Sequence, residues 1–192
     1  MLHAPAQHGI RKQTHRLPPA PHSRYSSANH PQESRREFTR KTIPEQHYIY
    51  VDREASFTTP NAIAEAMASG FGAVFGFTQE KRISPLTMPS SIYMEMPSSD
   101  AMKFRAAVFV SAEDAAKAEG DVKSAAMAAG DVVMTTHVGP YASLNQSHKA
   151  LWDHCDAEGL PKAMPVWEIY VDDPEKTPEG ELRTEIYRSL SG

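Results

Sequence analysis

The sequence contains a single cysteine, Cys155, so no disulfide can form within the chain. It lacks any apolar run of about 18 residues, the length a membrane-spanning helix needs, and no membrane partner is expected. No glycine-rich loop follows a strand at the spacing that cradles phosphate, and no Gly-x-Ser-x-Gly elbow occurs. His137 and His148 each stand alone, without a second His or Cys at ligand spacing, so no metal site and no cofactor are expected. A soluble, reducing, cytoplasmic setting is the default for such a chain, and any chemistry falls to carboxylates and phenols.

Aliphatic residues are scarce over residues 1–45, which hold six of the 15 prolines and five of the nine histidines. Eight Lys and Arg against three Glu give that segment a formal charge of +5, leaving −9 for the remainder. A basic Pro/Ser/His-rich segment cannot bury enough surface to offset its ordering entropy, so residues 1–45 are expected to be a disordered tail. The acidic remainder argues against direct nucleic-acid binding, which needs clustered Lys and Arg, and favours cationic ligands.

Beyond residue 45 the pattern is regular. His47 to Arg53 is a compact β-branched and aromatic strand. Thr58 or Thr59 caps a helix with Pro60 at its first position, running to about Glu80, and Gly70, Gly72 and Gly76 within it imply close packing on a neighbour. Ser90 to Met96 alternates, with Ile92, Met94 and Met96 on one face, and Lys103 to Val110 is a further strand. Residues 111–129 form a connector, with a short helix at Ala112 to Ala118 and a short strand near Val122. Asp131 to Val138 is a strand, Tyr141 to Glu158 a helix stopped by Gly159, and Pro165 to Asp172 and Leu182 to Leu190 close the chain.

The order strand, helix, strand, strand thus occurs twice, over about 46–110 and 130–190. Ile92-Tyr93 answers Ile169-Tyr170, and Phe104 to Phe109 answers Leu182 to Tyr187, which pairs Ser91 with Glu168 and Ala107 with Glu185. The expected fold is α+β: two βαββ repeats related by a pseudo-two-fold, an antiparallel sheet, two long helices and a central ligand groove. Residues 46–192 form this one domain.

Two carboxylates interrupt strands. Glu168 shares a face with Tyr170, with Tyr93 as the pseudo-symmetric mate, while Trp167 lies on the opposite face and reads as core. Glu168 either anchors a cationic ligand among aromatic rings or faces solvent beside Arg183; Glu185 shares its face with Arg183 and Tyr187 and has the same choice.

Taken together, His137-Val138-Gly139-Pro140-Tyr141, the helix from Leu144 to Trp152, Pro165 to Tyr170, Asp173 to Pro178 and Leu182 to Tyr187 resemble the GyrI-like small-molecule-binding family. That family includes the effector-binding domain of AraC-type and multidrug-sensing regulators. The resemblance spans about residues 46–190. It implies a groove in which a glutamate on the penultimate strand, Glu168 here, contacts cationic lipophilic ligands beside Tyr93, Tyr170 and Trp167, with Glu185 as a secondary candidate. It also implies two alternatives: a hydrolase of cyclopropane-containing toxins in which Glu168 is catalytic, and a gyrase-inhibiting protein. A regulator or gyrase is then a possible partner. The chain carries no helix-turn-helix of its own.

Overall fold

The computed structural model describes residues 36–191. Its elements are β1 (Thr39–Ile43), β2 (Gln46–Ser56), α1 (Ala62–Glu80), β3 (Ser90–Tyr93), β4 (Ala101–Val110) and α2 (Ala112–Ala115). They continue with β5 (Lys123–Met127), β6 (Gly130–Val138), α3 (Leu144–Ala157), β7 (Val166–Tyr170) and β8 (Arg183–Ser189). The eight strands form one sheet in the order β1-β6-β8-β7-β3-β4-β2-β5, antiparallel at every pairing.

Both expected βαββ units are present, β2-α1-β3-β4 and β6-α3-β7-β8, joined back to back through β3 and β7. The strand ahead of each unit crosses over: β1 precedes β2 but pairs with β6, and β5 precedes β6 but pairs with β2. This corrects the expectation that the chain is unstructured as far as residue 45. Ile43 is buried, and Arg40 and Thr42 both bond the Asp131 carboxylate. The ladder partners of β1 lie some 90 residues away, so Arg40 and Lys41 read locally as tail charge, whereas on this edge strand Arg40 pairs with Asp131 and the Lys41 ammonium stands 4.8 Å from the centroid of the Tyr187 ring. The remainder of the expected tail, residues 1–35, lies outside the described residues.

Alternation along the strands builds two cores. On β2 and β4, Ile49, Val51, Phe104, Ala106 and Val108 face α1, while Tyr48, Tyr50, Ala107 and Phe109 face the other way. Among the described residues no helix covers that second face, yet it is buried, with side chains from all eight strands in one cluster. The sheet therefore curls to close this face on itself. Trp167 sits there, 1% exposed and stacked on Tyr187 at 5.0 Å between ring centroids.

Gly70 is where α1 meets the sheet. A Cβ at this position would lie 2.6 Å from Cβ of Ala106, whereas one at Gly72 or Gly76 would meet nothing. The expected close packing therefore holds for Gly70 alone. Gly70→Ala is expected to cost about 1–3 kcal/mol by overpacking, while Gly72→Ala and Gly76→Ala gain up to about 1 kcal/mol from helix propensity. Urea midpoints of the three variants measure the contrast.

The helix start differs slightly from expectation. Asn61, in the left-handed conformation, is the cap, and no side chain bonds the first turn. β3 also stops at Tyr93, so Met94 and Met96 are exposed and do not join the core face. Among the described residues no helix is long and apolar enough to cross a membrane.

Candidate functional site

α1 packs on β2 and β4 and α3 on β6, which leaves the two central strands β3 and β7 as the floor of a groove between the helices. That groove is a cavity of about 1520 Å³. Its walls are largely apolar, with Met67, Phe71 and Phe75 from α1, Met88 and Met102 beside the sheet, and Leu144 and Trp152 from the opposite side.

At the centre of the floor the repeat and the ladder coincide. Ser91 and Glu168, equivalent in the internal repeat, also face each other across the β3–β7 pair, so the pseudo-two-fold axis passes between them. The equivalent tyrosines, Tyr93 and Tyr170, each lie two residues further along antiparallel strands, which puts one on either side of Glu168. Both hydroxyls donate to its Oε2, Tyr170 at 2.6 Å and Tyr93 at 3.2 Å. The symmetry is broken at one place only among these four residues: serine on one strand, glutamate on the other.

Glu168 is 4% exposed. Its Oε1 lies 2.5 Å from Nε2 of His148, which descends from α3. His148 is aimed by its neighbour. Ser147 is buried and bonds Nδ1 of His137 on β6 at 2.8 Å, while Nε2 of His137 donates to the carbonyl of Pro140 at 3.1 Å. The carbonyl can only accept, so the neutral ring carries its proton on Nε2 and Nδ1 accepts from Ser147. His137 is thus a bolt between β6 and the first turn of α3, and it fixes where His148 reaches the floor.

A second layer holds the phenols. Tyr170 spends its only proton on Glu168, so Ser91 donates toward Tyr170 Oη at 3.0 Å or toward Met67 Sδ at 3.2 Å. Phe71 and Tyr141 both meet the Tyr170 ring edge-on, at 5.7 and 5.5 Å between centroids. Both floor tyrosines are partly buried and line the cavity. Burial first, and the Glu168 charge second, push both phenols well above their ordinary 10.0.

That shift has a consequence for stability. A folded-state value raised above the unfolded one stabilises the fold fully below pH 10.0, and the contribution fades as pH climbs past it. Urea midpoints should therefore fall on the alkaline side of pH 10, and Tyr170→Phe should flatten that fall; equal alkaline slopes would contradict the assignment.

Charges at the rim are of another kind. Asp172 is bonded twice by the Arg183 guanidinium, Asp173 pairs with Lys176, Glu95 with Lys103 and Lys149 with Asp153. These are largely solvent-screened pairs, worth about 0–1 kcal/mol each.

The sequence profile of the GyrI-like small molecule binding domain matches residues 36–190. The chain belongs to this GyrI-like family. Solved structures similar to it include the C-terminal domain of EcmrR, at 21% identity and a TM-score of 0.62 over 81% of this chain and 98% of that one. A hydrolase encoded by lin2189 from Listeria innocua is similar at 14% identity and a TM-score of 0.54, over 81% and 92% of the two chains. SAV2435, solved bound to tetraphenylphosphonium, is similar at 13% identity and a TM-score of 0.55, over 81% and 94%. At such identities these likenesses establish the fold. No functionally curated protein matches the chain.

Within this GyrI-like domain the structure brings Glu168, Tyr170 and Tyr93 together and leaves two sequence candidates elsewhere. Trp167 points into the closed face of the sheet, away from the cavity, because strand neighbours alternate. Glu185 shares that far face: it stands opposite Ile169 and accepts from the Tyr187 hydroxyl at 2.6 Å. Arg183, considered as a partner for either glutamate, is taken by Asp172. Sequence reasoning missed His148, Ser91, Met67 and Tyr141. The position of His148 on the stripe of Leu144, Leu151 and Cys155 was the available signal, since an imidazole on an apolar face needs an internal partner.

Proposed function

We propose that the cavity binds amphipathic cations, with Glu168 as the charged anchor, and that the protein senses or sequesters such compounds. The observation that carries this reading is a single enclosed carboxylate, centred on the floor of a large apolar cavity and supplied with hydrogen-bond donors on both oxygens. Those donors keep the carboxylate tolerable in the free protein, but they confer only partial positive charge and one shared imidazole. A lipophilic cation adds a full compensating charge together with apolar surface for Met67, Phe71 and Tyr141. The cavity volume exceeds the roughly 300–1,000 Å³ usual for drug-sized ligands, which suits bulky polyaromatic compounds. SAV2435, of the same fold, has been solved with tetraphenylphosphonium bound, a compound of that class.

Titration calorimetry with tetraphenylphosphonium tests the reading. Saturable binding at one site is the expected result; no measurable heat or displacement across soluble concentrations is the contrary one.

A second reading rests on the contact between Glu168 and His148. A carboxylate and an imidazole at 2.5 Å, with a phenol at 3.2 Å, are acid–base groups within proton-transfer reach, and a protein of the same fold from Listeria innocua is described as a hydrolase. Hydrolysis of an electrophilic cyclopropane, lost in Glu168→Gln, would distinguish turnover from binding alone.

A further inference from the structure

The helix-facing side of the sheet carries a second symmetry-breaking charge. Ala107 and Tyr187 face the equivalent residues Ser90 and Trp167, so the next residues on each strand, Val108 and Arg188, are also equivalent. Val108 is an ordinary member of the α1 core, with no exposed surface. Its counterpart Arg188 is 5% exposed and lines the cavity. An arginine has therefore replaced a core valine in the same half of the chain, and on the same sheet face, where a glutamate has replaced a serine.

The two charges do not neutralise each other. Glu168 stands opposite Ile186 and Arg188 opposite Val166, which sets them one diagonal apart on adjacent strands, about 7–8 Å between backbone positions. Yet the oxygens of Glu168 are occupied by Tyr93, Tyr170 and His148. The Arg188 guanidinium instead lies over the Trp152 indole, 4.5 Å from its centroid. Its Nη1 is sealed from solvent and has no acceptor among the described residues. Burial holds the guanidinium below its usual range, and no carboxylate offsets that pressure.

Retaining an unpaired buried guanidinium is costly, since a leucine or methionine of similar volume would fill the space without desolvation. The Lys162 ammonium also rests on the Trp152 ring, at 4.1 Å, but it has the carboxylate of Asp156 as a partner. Arg188 thus brings donors in a planar fork and one aromatic platform to the cavity wall.

We infer that Arg188 and Trp152 form an anion subsite at one end of the cavity, so that the ligand class is an amphipathic zwitterion whose cationic centre sits at Glu168 and whose carboxylate or sulfonate reaches Arg188. This deepens the proposed binding of amphipathic cations and rests on it. The guanidinium donates to the anionic group in its own plane while the indole packs one of its faces.

Rhodamine B and its ethyl ester test the subsite, because they share the xanthene cation and differ only in whether the carboxylate is free. Fluorescence titration at neutral pH is expected to show the free acid binding the wild-type protein at least fivefold more tightly than the ester. Arg188→Met, which keeps the packing against Trp152, should abolish that preference and leave the ester bound at least as tightly as by the wild type, because a positive charge that repels the cation is removed, with thermal melting confirming the fold. Equal affinity of acid and ester for the wild type overturns the inference without any variant, as does a preference that survives in Arg188→Met. Failure of the underlying cation reading looks different: Glu168→Gln would then leave the ester's affinity unchanged.

Discussion

Replacing Glu168 by glutamine is expected to weaken binding of tetraphenylphosphonium by tenfold or more, at least about 1.4 kcal/mol. The magnitude follows from the position of the carboxylate. At an effective dielectric of about 20 and a separation of about 6 Å, two opposite unit charges interact by roughly 3 kcal/mol. Part of that is already present in the free protein as hydrogen bonds from Tyr93, Tyr170 and His148, so the net loss falls between one and two decades. Glutamine preserves the shape and one acceptor oxygen, and its amide can donate to either phenol, so the cavity floor stays filled. The carboxylates of Asp172 and Asp173 cannot substitute, because Arg183 and Lys176 hold them at the rim. An unchanged dissociation constant in the variant would remove Glu168 from the site.

Trp167→Ala should instead act on the fold, costing about 3–5 kcal/mol of stability. The ring is 1% exposed and stacked on Tyr187 within three degrees of parallel, in the cluster that closes the curled face of the sheet. Alanine leaves a cavity where strands from both halves meet and cannot easily collapse. Trp167→Phe refills much of it, so that variant should recover most of the loss in chemical denaturation while binding tetraphenylphosphonium as the wild type does. Weakened binding by a well-folded Trp167→Phe protein would return this residue to the ligand site.

The contrast between neighbours at 167 and 168 shows what strand periodicity conveys and what it does not. Period two correctly separates their faces, and the internal repeat finds Tyr93 as the mate of Tyr170. Neither tells which face will be closed by the sheet's own curl and which by helices that stand apart, because curvature is set by the whole ladder. The repeat alignment is also off by two at Glu185: it pairs the residue with Ala107, whereas the ladder makes Arg105 its counterpart, because the β7–β8 connection is longer than the β3–β4 one; a slip of two keeps the face, so it is the closing of that face by the sheet's own curl that takes Glu185 away from the cavity.

Other omissions have the same origin in long-range pairing. β1 has one inward apolar residue, Ile43, among basic neighbours, and only β6 gives it order. His148 lacks any partner at metal spacing, and its actual partner is a carboxylate 20 residues on, brought near because His137 and Ser147 fix the start of α3. Arg188 reads as one more charge in a terminal strand until the repeat register sets it against Val108. By contrast, the two long helices, the central strands and the groove floor are written in local alternation, glycine and proline punctuation and the repeat itself.

A crystal structure of the complex with tetraphenylphosphonium tests the central claim most directly. The phosphorus should lie within about 6 Å of the Glu168 carboxylate, the range over which a cation also feels neighbouring ring faces, with phenyl groups against Met67, Phe71 and Tyr141. A cation lodged at the rim beside Asp172 and Asp173, with Glu168 still enclosed by its tyrosines and His148 and out of reach, would contradict it.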